Sequence, residues 1–106
     1  MSEQPNLNYI KQLAGDSLSF EQKLIGIIKL EFPQEKTEFM NNYKAKENKK
    51  AAENVHKLKH KIGMLGLEQG YQVAIDFEEA LLNNNTLLYP NFLQILDQID
   101  NFLTTL

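Results

Sequence analysis

The sequence predicts an all-α fold: an antiparallel four-helix bundle with a short extra helix at its N-terminus. Three observations point to it. Apolar residues recur at helical spacing through most of the 106 residues. The β-branched residues follow the same spacing, and the turn dipeptides that would join hairpin strands are missing. The connections between periodic stretches are short, which favours neighbouring helices running in opposite directions.

The first helix is predicted over Asn6 to Leu13, where Leu7, Ile10 and Leu13 stand three apart, and Gly15-Asp16-Ser17 ends it. Ser19-Phe20-Glu21-Gln22 has the spacing of a capping box. Leu24, Ile25, Ile27, Ile28 and Leu30 follow as a strongly apolar helix. Pro33 either kinks that helix or opens a new one at its first turn. Phe39, Met40 and Tyr43 carry the apolar face to about Lys46. Asn48 is the candidate N-cap of a lysine-rich helix and Gly66 its candidate C-cap. The next helix runs from Glu68 to Leu82, with Tyr71, Ala74, Ile75, Phe77 and Leu81. Asn83-Asn84-Asn85-Thr86 is a loop. Phe92, Ile95, Leu96, Ile99, Phe102, Leu103 and Leu106 mark a last helix with heptad-like spacing. Phe20, Phe32, Phe39, Phe77, Phe92 and Phe102 are read as core.

Composition narrows the function. A chain of this length builds one core, so residues 1–106 are read as a single domain. The net charge of −3 argues against a general nucleic-acid binder. The charge is uneven, however. Lys44, Lys46, Lys49, Lys50, Lys57, Lys59 and Lys61 face only Glu47 and Glu53 in the same stretch, giving a local basic cap. Without cysteine there is no disulfide or thiol chemistry. No apolar run approaches the ~20 residues that span a bilayer, and the first residues lack the basic start and apolar core of a signal peptide. A cytoplasmic protein with no membrane partner is expected.

The chemistry concentrates in Val55-His56-Lys57-Leu58-Lys59-His60-Lys61-Ile62-Gly63-Met64-Leu65-Gly66-Leu67. At 100° per residue, Val55, Leu58, Ile62 and Leu65 share one face. Ala52, His56, Lys59 and Gly63, spaced 4, 3 and 4, form a second stripe about 110° away. If the apolar stripe is core, His56 points to solvent or to the rim. Small residues at Ala52 and Gly63 would then let another surface approach. Flanking lysines and the lack of an HExxH string argue against a metal held by His56 and His60.

This segment resembles the signature of the histidine-containing phosphotransfer (HPt) domain: His56, Leu58 and Lys59, with Gly66 ten residues after the histidine. The resemblance runs from about Ile10 to the end. It takes in Leu13-Ala14-Gly15-Asp16, Phe32-Pro33 and Glu78, 22 residues after His56. One departure is His60, which stands where the family usually has glycine, a place that gives a docking partner room.

The resemblance implies a four-helix phosphorelay carrier, free-standing, mostly monomeric and without kinase activity of its own. Its partners would be receiver domains of response regulators and of hybrid sensor histidine kinases. It would need no cofactor of its own, because the receiver supplies an Asp and Mg²⁺. His56 would be the phosphorylated nucleophile, through Nε2. Lys59 would offset phosphoryl charge, and Glu78, with Glu79 as fallback, would orient the imidazole. If the chain reverses near Gly66, His56 and Glu78 fall at similar height on neighbouring helices. Ala52, His60 and Gly63 would belong to the binding surface. Two other readings remain open: an HPt-like adaptor that binds receivers without being phosphorylated, and a metal- or signal-binding bundle.

Overall fold

In the computed structural model, which describes residues 3–106, five helices and no strand occur among the described residues. They are α1 (Asn8–Ala14), α2 (Leu18–Lys44), α3 (Asn48–Met64), α4 (Glu68–Leu82) and α5 (Tyr89–Leu103). No helix among the described residues is long and apolar enough to cross a membrane.

Pro33 neither ends α2 nor starts a new helix. It sits inside one 27-residue helix, and its carbonyl accepts a hydrogen bond from the Thr37 hydroxyl. The cap of α2 is Ser17 rather than Ser19: the Ser17 hydroxyl accepts from the Phe20 N–H at 3.2 Å. Asn48 is likewise the first helical residue of α3 and not its cap. Its amide reaches across to Asn84 Oδ1 instead.

Helices α2, α3 and α4 end in the same way. Beyond α3, the Leu67 N–H bonds the Ile62 carbonyl and the Gly66 N–H bonds the Gly63 carbonyl. This double bond back onto the last turn needs a left-handed residue, and Gly66, at φ +80°, supplies it. Lys46 and Asn84 repeat the arrangement after α2 and α4, with φ of 59° and 57°. The device turns the chain within three residues while Leu65 and Leu67 stay fully buried.

The core joins all five helices. Ile10, Ile28, Phe32, Phe39, Leu58, Ile62, Phe77, Phe92, Leu96 and Ile99 are almost or wholly inaccessible, each burial being worth roughly 1.5–3 kcal/mol. Phe39, Phe77 and Phe92 pack edge-on or tilted at 5.2–6.0 Å, and a stacked Tyr43–Tyr89 pair at 3.8 Å closes that end. Phe20 does not join them. It is 44% exposed, because it lies on the side of α2 away from Ile25, Ile28 and Phe32. Phe102 only packs against the core's edge.

Contacts between helices fix their directions. Residue numbers rise along α2 as they fall along α3 (Glu35 with Lys61, Asn42 with Asn54). They do the same between α2 and α5 (Lys36 with Asp100, Tyr43 with Tyr89) and between α3 and α4 (Gly63 with Tyr71, His56 with Glu78). The N-terminal segment straps the α3–α4 corner. The Asn6 N–H bonds the Leu65 carbonyl, and the Glu3 carboxylate accepts the Gly70 N–H at 2.7 Å in the otherwise uncapped first turn of α4.

Candidate functional site

The site forms where α3 and α4 run side by side. Helix α3 buries a wide arc because α2 and α4 both pack on it: Ala51, Ala52, Asn54, Val55, Leu58 and Ile62 are all covered. His56 lies just outside this arc, and its side chain is 51% exposed. Its Nδ1 lies 3.1 Å and 3.3 Å from the two oxygens of the Glu78 carboxylate. A carboxylate only accepts, so this contact requires Nδ1 to carry the proton. In the neutral ring Nε2 then holds the free lone pair.

Lys59 completes the cluster. Its ammonium donates to Glu78 Oε1 at 3.2 Å and stands 3.3 Å from His56 Nδ1, so two donors converge on one carboxylate. The Lys59 side chain is only 13% exposed. The reason lies in the helix: at 100° per residue Lys59 sits about 60° nearer to the apolar stripe than His56 does. Glu79, one residue from Glu78, is exposed, and its carbonyl accepts from Asn83. The carboxylate beside His56 is therefore Glu78.

The other sequence-derived residues divide. Ala52, expected on the open stripe, is buried. It lines a cleft of about 390 Å³ that His56 shares with Lys49, Glu53, Lys57, Glu78 and Leu82. His60, one turn after His56, is exposed and sets its ring edge-on to His56 at 5.1 Å. It lines a second cleft, of about 460 Å³, with Tyr9, Gly63, Met64, Glu68 and Tyr71. Gly63 does not stand open: a Cβ there would lie 3.1 Å from the Tyr71 ring. The sequence reading missed Tyr71 as a site residue and placed it only on the apolar face of α4. Its signal was its place seven residues before Glu78, two turns along the same face.

The cluster presents a half-exposed imidazole with a fixed proton, a paired cation beside it, and clefts on both sides. Around the cleft the exposed Lys49 and Lys57 stand with the carboxylates of Glu53 and Glu78. Among the described residues no group of three or more His, Cys, Asp or Glu side chains is placed to hold a metal. Such an arrangement suits a nucleophile that acts on a group brought by another molecule. The family described as Hpt domain matches residues 22–106, most of the chain and all of the His56 cluster. No curated protein and no solved structure matches it.

Proposed function

As the chain belongs to the Hpt domain family, whose members serve phosphorelay signalling with receiver domains, we propose that it is a phosphocarrier acting through His56. In this proposal His56 takes a phosphoryl group from the Asp of one receiver and gives it to the Asp of another. Residues 1–106 act as one domain with four long helices in antiparallel order. The descending residue pairs between α2, α3, α4 and α5 support that arrangement.

One observation carries the proposal: the His56 Nδ1–H is tied to Glu78 while the ring stays half exposed. The Nε2 lone pair attacks phosphorus and forms an N–P bond. The P–O bond to the donor aspartate breaks, and its carboxylate leaves with the electron pair. No proton moves. The imidazole, still carrying Nδ1–H, becomes cationic, and the Glu78 carboxylate balances that charge. In the return step the acceptor's carboxylate attacks phosphorus and neutral imidazole departs. Lys59 offsets negative charge on the phosphoryl oxygens as a point charge. Any Mg²⁺ the step needs comes with the receiver.

Incubation with a phosphorylated receiver or with phosphoramidate, followed by intact mass, tests the proposal. One acid-labile phosphate, absent in His56→Gln, is expected. Receiver binding without phosphate on a folded chain would instead favour the adaptor, with His60 and the lysines as its contact surface.

A further inference from the structure

We propose that Tyr71 is a positioning residue for phosphotransfer, acting through Lys59; this rests on the role of His56 given above. The argument begins with Lys59. A lysine carries a flexible four-carbon stem, and on an open helix face its ammonium would wander through water. Here the side chain is nearly covered, and its ammonium stands between two α4 side chains on the same face. Glu78 lies at 3.2 Å, and the centre of the Tyr71 ring at 6.0 Å.

Tyr71 occupies that place because Gly63 leaves it vacant. The nearest ring carbons stand 3.1 and 3.4 Å from where a Gly63 Cβ would be, closer than the ring and a side chain would comfortably share. Gly63 therefore seats the ring, the ring face attracts and confines the ammonium, and the ammonium reaches Glu78 and His56. The small residue that the sequence suggested for a partner's approach serves the site from within.

The experiment compares single-turnover transfer from one phosphorylated receiver, at saturating and at limiting concentration, in Tyr71→Leu, Tyr71→Phe, Lys59→Ala and Lys59→Ala/Tyr71→Leu, with thermal melting of each. Tyr71→Leu should transfer about two- to five-fold more slowly at saturation, the scale of an exposed cation–π contact. Receiver affinity should be unchanged, and Tyr71→Phe should keep the original rate. The double variant should be no slower than Lys59→Ala alone. Effects that multiply, or an unchanged rate in folded Tyr71→Leu, would overturn the proposal.

A second readout needs no transfer at all: the ring-current shift of the Lys59 εCH₂ protons, retained in Tyr71→Phe and lost in Tyr71→Leu. If the parent chain takes no phosphate, the role of His56 fails. A shift that does not depend on the ring at position 71 shows that the positioning itself fails.

Discussion

His56, Lys59 and Glu78 form a unit in which each side chain limits what the others do. Glu78 receives both donors, so the imidazole keeps one tautomer and the ammonium stays beside the ring. Lys59→Ala should slow transfer about 10- to 100-fold, the rate equivalent of a charge-assisted contact of about 1.5–3 kcal/mol. Receiver affinity should be preserved, and stopped-flow transfer beside titration calorimetry separates the two. His56→Gln, at a half-exposed position, should alter stability by no more than about 0.5 kcal/mol in urea unfolding. The residue type and spacing of this trio were legible in the sequence, since helical period and a single reversal near Gly66 suffice to bring them together. The burial of Lys59 and Ala52 was not, because the width of the covered arc depends on how many neighbours α3 has.

The helices show how local chemistry sets these positions. Gly66 and the asparagines after Leu82 advertised the left-handed residues that end α3 and α4. Lys46 gave no such sign, since lysine rarely adopts positive φ. The strain it holds leads to a prediction. Lys46→Gly should raise stability by about 0.5–1 kcal/mol, read as a higher urea midpoint with an unchanged slope. The helix starts were less legible than the ends. Ser17 and Ser19 both suit a cap, and the choice turns on the extended backbone at Ser17, which side-chain type does not encode. At Pro33 sequence left two outcomes open. The continuous α2 is fixed by Phe32 and Phe39, which bury on one face on either side of the proline.

Across the whole molecule, α2 is bound to its neighbours by two lysine clusters. Lys61 pairs with Glu31 and Glu35, and Lys36 with Asp97 and Asp100. Burial alone would lower both lysine pKa values. Hydrogen bonds and charge from the carboxylates outweigh it and hold both above the usual 10.5. Burial, with the charge of Tyr43, raises Tyr89 as well. A raised folded-state pKa gives stability that is complete below the unfolded value and lost as pH climbs through the folded one. The chain should therefore weaken above about pH 10, measured as a urea midpoint that stays level between about pH 8 and pH 10 and falls beyond it. Lys61→Met should flatten part of that decline. Lys61 matters most to Glu35, since it bonds Oε2 at 2.9 Å while Oε1 is buried without a hydrogen-bond partner. These pairings span 26 to 64 residues, and no periodicity announces contacts so far apart in the chain.

The turn at Leu65–Leu67 also makes the stretch from His56 to Glu78 a ruler. Both helices are phased from that corner, so one residue added between Gly66 and Glu78 would turn the carboxylate by about 100° away from the imidazole. One residue added among Asn83–Asn85 would leave the pair where it is. The chain thus tolerates changes of length very unevenly: its chemistry is written in the count of residues between two side chains as much as in the side chains themselves.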